Sequence, residues 1–103
     1  MSEMMNEHNA VIIKTRIEIE DDGIITAELM VRYAGGVQSF GGWNIEGQPK
    51  WLRRVIDTVG VMGWNDLVGK NLRVRGTFEK ISAIGHIIED RWFEPEKEFE
   101  NNE

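Results

Sequence analysis

Between Leu67 and Phe93 the chain reads LVGKNLRVRGTFEKISAIGHIIEDRWF, and this stretch constrains the fold more than any other. After a Gly69-Lys70 turn, Leu72 and Val74 alternate with Arg73 and Arg75, the two-residue period of a strand with one wet face. Beyond Gly76 a second strand returns through Ile81, Ile84, Ile87 and Ile88 to Trp92-Phe93, with apolar residues on both faces. That succession implies a curled sheet whose last strand is covered on both sides.

The first half of the chain supplies the partners. Ile13, Thr15, Ile17 and Ile19 alternate with Lys14, Arg16, Glu18 and Glu20, and Asp21-Asp22-Gly23 is a hairpin signal. The return strand from Ile24 to Tyr33 sets Ile25, Ala27, Leu29, Val31 and Tyr33 on one face. Gly35-Gly36 marks the next turn, and a glycine-rich strand runs from Val37 to Ile45. From Pro49 to Val59, Trp51, Leu52, Val55, Ile56 and Val59 fall on one side of a helix, with Lys50, Arg53, Arg54, Asp57 and Thr58 on the other. Pro49 suits the first turn and Gly60 the position past the end.

The expected fold is therefore α+β. Strand, strand, strand, helix, strand, strand fits either a small antiparallel five-stranded sheet packed on one amphipathic helix or an OB-like barrel. A single domain spans residues 9–95. Residues 1–8 and the acidic residues 96–103 lack apolar periodicity and read as disordered tails. They hold nearly all of the net charge of −6, and residues 9–93 balance 11 acids against 11 bases. A duplex-binding domain is normally far more basic. No cysteine is present, which excludes disulfides and thiolate metal sites. No apolar run approaches the roughly 20 residues of a membrane span, so a cytoplasmic protein without membrane association is expected.

The segment Tyr33 to Trp43 holds four glycines and three aromatic residues. Glycines expose backbone donors and aromatics offer desolvated contact area, so Gln38, Phe40 and Trp43 form a candidate binding rim. Arg53, Arg54 and His86 are its candidate polar members, with arginine suited to phosphate or carboxylate. Alternatively, the glycines are only the bends of a coiled sheet. Arg73, Arg75, Lys70 and Lys80 make a second candidate set, for a nucleic-acid backbone. Neither GxxxxGK[ST] nor GxGxxG is present, no nucleophile–base–orienter set is readable, and no metal or cofactor motif occurs. Binding without turnover is expected. Trp43, Trp64, Trp92 and Phe93 are more apolar surface than one helix readily covers, which suggests a homodimer.

Five pieces in order, IEIEDDGIITAEL, GGVQSFGGW, RRVIDTVGV, LVGKNLRVR and IGHIIEDRWFEP, carry a resemblance. From Ile17 to Pro95 the chain resembles a family of small accessory proteins encoded by tailed bacteriophages and prophages. That family generally has Asp near a Tyr-Gly-Gly and Tyr after the later Gly-Gly. Here those places read Arg32-Tyr33-Ala34 and Trp43, which implies a different ligand preference at the rim. The resemblance implies a phage accessory protein that binds and modulates a host protein or a small nucleotide signal, with a counter-defence role. The alternative is an OB-like module that binds single-stranded nucleic acid in phage replication or recombination.

Overall fold

The computed structural model describes residues 6–47, 49–77 and 79–99. In chain order the elements are β1 (Asn6–Ile19), β2 (Ile25–Tyr33), β3 (Gly36–Asn44), α1 (Lys50–Val59), a 3-10 turn (Trp64–Asp66), β4 (Asn71–Gly76), β5 (Ile81–Gly85), β6 (Trp92–Phe93) and α2 (Pro95–Phe99). The strands form one antiparallel sheet in the order β3-β2-β1-β4-β5-β6. The sheet curls into a half-barrel, bringing β3 near β5 without pairing them. This is a barrel-like α+β fold with six strands where five were expected, and with a second helix.

The extra strand comes from a break in the expected last one. His86 leaves the ladder, and its Nδ1 accepts the N–H groups of Ile88 and Glu89 at 3.0 and 2.9 Å. The His86 N–H itself donates to the Arg91 carbonyl at 3.0 Å, which closes a turn before β6. Ile88 is therefore 81% exposed and lies outside the core. The rest of that strand is covered on both faces, since Ile81, Ala83, Ile84 and Gly85 in β5 are all buried.

In β1 the alternation changes phase. A bulge between Ile12 and Lys14 interrupts the register with β2, so Ala10 and Ile12 are buried from even positions. Thr15, Ile17 and Ile19 still share one face, opposite Leu29, Ala27 and Ile25. On that face Ile17 is 47% and Ile19 71% exposed, because this half of β1 extends past β4.

α1 lies on the inner face with Trp51, Val55 and Val59 buried. Leu52 and Ile56, expected in the core, are half-buried, and Thr58, expected on the wet side, is buried at the sheet-facing edge of the stripe. Gly60 ends the helix at φ 91°, its N–H on the Ile56 carbonyl. No helix among the described residues is long and apolar enough to cross a membrane. The ordered chain is longer than residues 9–95. Residues 6–8 open β1 against β4, and residues 96–99 belong to α2, which docks through Phe99. The remainder of the expected tails, residues 1–5 and 100–103, lies outside the described residues.

Burial sets the expected mutational costs. Ile12→Ala, at a fully buried position, should lower the stability read by urea unfolding by roughly 2–5 kcal/mol. Ile88→Ala should leave it within about 0.5 kcal/mol.

Candidate functional site

The glycine-aromatic stretch forms β3, an edge strand bonded, among the described residues, to β2 alone. Its register slips where Ala27 pairs with Trp43 and Glu28 with Gly41, leaving Gly42 as an extra residue. Counting by twos from Phe40 would send Trp43 to the outer face, and the extra residue returns it to the inner one. Gly41 makes this possible. It sits at φ 124°, and a Cβ there would lie 2.7 Å from the Ala27 carbonyl oxygen and 2.9 Å from Trp51 Cζ2. No larger residue fits without moving the strand off α1.

Trp43 is half-buried at the end of an aromatic chain that runs into the core. It meets Phe99 edge-on at 6.2 Å, and Phe99 meets Phe93 at 5.8 Å. Phe93 touches Trp51 and Phe40, which stack on one another at 5.9 Å. Among the described residues, three clefts share Trp43 as a wall. The largest, of about 450 Å³, is lined by Trp43, Asn44, Gly47, Trp51 and Phe99. One of about 170 Å³ lies among Trp43, Pro95, Glu96 and Phe99. The third, of about 140 Å³, follows the seam where β3 faces β5 and includes Ser39, Gly41, Lys80 and Ser82. α1 begins beside the largest cleft, with Pro49 as N-cap, no side-chain cap bond among the described residues, and Lys50 exposed. The buried Trp51 Nε1 meets no acceptor among the described residues.

α2 is held against this site by charge as well as by Phe99. Arg54 Nε and Nη2 donate to the two carboxylate oxygens of Glu98, both at 2.8 Å, and Nη2 also donates to the Trp92 carbonyl at 3.0 Å. The guanidinium lies 5.0 Å from the centre of the Phe93 ring. Its hydrogen bond raises the Arg54 pKa above the ordinary value and holds Glu98 below the ordinary carboxylate range. Lys80 Nζ bridges to Glu96 at 2.6 Å.

The rim residues named from the sequence are thus dispersed. Trp43 borders the clefts. Phe40, on the same face, is almost wholly buried in the core and reaches only the smallest of the three clefts. Gln38 shares that face and is half-buried beside Val31. Arg53 is exposed on α1, while Arg54 is committed to Glu98. His86 is a turn residue, packed with its ring against Gly60. What the sequence reading missed is α2 and the cleft-lining roles of Asn44, Gly47, Trp51 and Phe99. Pro95 at a helix start, with an aromatic residue four positions on in an otherwise acidic segment, was the available signal.

Of the second candidate set, the structure brings Arg73 and Arg75 together over Trp92. Arg73 donates to the carbonyls of His86 and Glu89, both at 2.8 Å, and Arg75 donates to Glu7 at 3.2 Å. Their guanidinium carbons lie 4.8 and 3.8 Å from the centre of the Trp92 ring. Trp92 packs on Gly85, where a Cβ would come within 2.6 Å of its Cε3. Lys70 is exposed in the turn before β4, and Lys80 faces Glu96. Among the described residues no group of three or more His, Asp or Glu side chains is placed to hold a metal ion.

The architecture is that of a small curled-sheet domain with an aromatic cleft at its open edge. Residues 5–63, from β1 through α1, match a family of bacterial proteins of unknown function (DUF905), and the chain belongs to that family. No curated protein and no solved structure matches it.

The Arg54–Glu98 contact makes α2 sensitive to acid. A depressed carboxylate pKa contributes stability that is full above the ordinary glutamate range and is lost as pH falls through the lower folded value. Acidification below that range should loosen α2, seen as a change in tryptophan fluorescence and in the NMR signals of Phe99. Glu98→Gln should remove this pH dependence and cost about 1 kcal/mol or less at neutral pH.

Proposed function

We propose that this protein acts by binding, without turnover, and that a flat anionic ligand of nucleotide type enters the largest cleft beside Trp43. One observation carries the reading: a half-buried tryptophan on an edge strand stands where three clefts meet. The largest has the volume of a small-molecule site. Trp43 supplies a face for stacking, and the amide of Asn44 supplies a polar group. The N-terminal turn of α1 and Lys50 favour negative charge. The resemblance to phage accessory proteins makes a host nucleotide signal the first ligand to try, with sequestration from host defence as the consequence.

The single-strand nucleic-acid reading has one observation in its favour. β1 lies between β2 and β4, and α1 joins β3 to β4, which is the OB-like arrangement with β6 added. Against it, Arg73 is engaged by two backbone carbonyls and Arg75 by Glu7. The cleft is the better supported site.

Titration of the native protein with mononucleotides and cyclic dinucleotides, followed by tryptophan fluorescence and calorimetry, should show saturable binding. Trp43→Ala should weaken it by about tenfold or more, since a base stacked on an aromatic side chain contributes roughly 1–3 kcal/mol. Binding unchanged in that variant, or none at millimolar nucleotide, would overturn the reading.

A further inference from the structure

β4 flanks only the first half of β1. Their register covers Asn6 to Val11, and the last bonds from that side join Ile12 to Lys70 and Gly69, at 3.0 and 2.7 Å. From Lys14 to Ile19, β1 has β2 on one side and, among the described residues, no strand on the other. The hairpin shows which groups face the open side. Glu20 donates to the Ile24 carbonyl and accepts from the Gly23 N–H, both at 2.8 Å, so its backbone looks toward β2. Backbone direction alternates along a strand, so Glu18 and Arg16 look the same way. The N–H and C=O groups of Thr15, Ile17 and Ile19 therefore point outward. Ile17 and Ile19 are also the exposed apolar side chains of this strand. An open apolar edge of this kind invites pairing with another chain.

We infer that this edge is a homodimer interface, in which residues 14–20 pair antiparallel with the same residues of a second copy about a twofold axis at Ile17. The sequence Lys-Thr-Arg-Ile-Glu-Ile-Glu selects both the partner and the register. Centred on Ile17, Lys14 lies opposite Glu20 and Arg16 opposite Glu18, each twice, as an isologous interface requires. On the other face Ile17 meets its own copy and Thr15 meets Ile19. Centring on Arg16 would set arginine against arginine, and centring on Glu18 would set glutamate against glutamate. Like charges directly opposite destabilise a strand pair, so only the Ile17 register satisfies every position.

The hydrogen-bonding phase agrees. The residues whose backbone points outward are the odd ones, so Ile17 bonds reciprocally with Ile17 of the second copy, and Thr15 with Ile19. Within its own chain Arg16 contacts exposed Glu18 at 3.3 Å and Glu28 at 3.4 Å. In the dimer it keeps Glu28 and gains Glu18 of the second copy. The pairing uses the edge of β1 and leaves β3 at the far side of each sheet, so it stands independently of the cleft and its ligand.

The test is the mass of the full chain by sedimentation velocity and light scattering, from micromolar to millimolar concentration. The native protein should give the dimer mass. Arg16→Glu and Glu18→Arg each place like charges opposite one another, and each should weaken the dimer by about tenfold or more. An equimolar mixture of these two variants should form the heterodimer, and the double variant R16E/E18R should dimerise again. Circular dichroism checks that each is folded. Should either fail that check, Glu20→Lys, which opposes Lys14, replaces it with the same expected loss. A native monomer throughout the range overturns the inference, as do single variants that dimerise like the native chain. Failure of both the mixture and the double variant to restore the dimer overturns the Ile17 register.

Discussion

Trp51 holds the two sides of the curled sheet to α1. Its ring stacks on Phe40 of β3, meets Phe93 of β6 and lies against Trp64 in the turn before β4. Gly41 is glycine because this ring and the Ala27 carbonyl leave no room for a Cβ. The bulge that follows then sets Trp43 at the mouth of the cleft. A chain of contacts thus runs from one buried indole to the geometry of the open edge. Large aromatic side chains suit such a role, since each buries much area with few rotamers to fix.

The sheet curls without closing, and its unclosed parts are where the surface chemistry lies. β3 meets β5 across a seam with no strand pairing, and α2 lies over that seam on Pro95, Glu96 and Phe99. The second half of β1 is open for a different reason, since β4 is too short to reach it. A full barrel would bury both edges. This one keeps them, and each carries its own side-chain pattern: aromatic on β3, alternating charge and isoleucine on β1.

Most of the arginines near these features are structural. Arg54 ties α2 to β6 and α1, Arg73 and Arg75 lie over Trp92, and Arg73 also holds the turn between β5 and β6. Their planar heads reach carbonyls, carboxylates and aromatic rings together, which lysine cannot do. The basic balance of residues 50–80 is therefore largely answered within the fold.

The sequence by itself determined α1, the β1–β2 and β2–β3 hairpins, the inner face of β2 and the covered character of β5, because those depend on short-range period and turn chemistry. Trp43, singled out as a candidate from its glycines, borders the clefts of the structure. Only the tertiary structure decided the rest. A one-residue bulge at Ile13 changed the phase of β1, the short reach of β4 exposed Ile17 and Ile19, and the His86 turn divided the last strand. Phe40 went into the core and the acidic C-terminal segment became α2, because Trp51 and Arg54, both remote in sequence, receive them. Local pattern says which residues can share a face. Which of those faces finds cover depends on contacts between segments tens of residues apart, and no period in the chain records them.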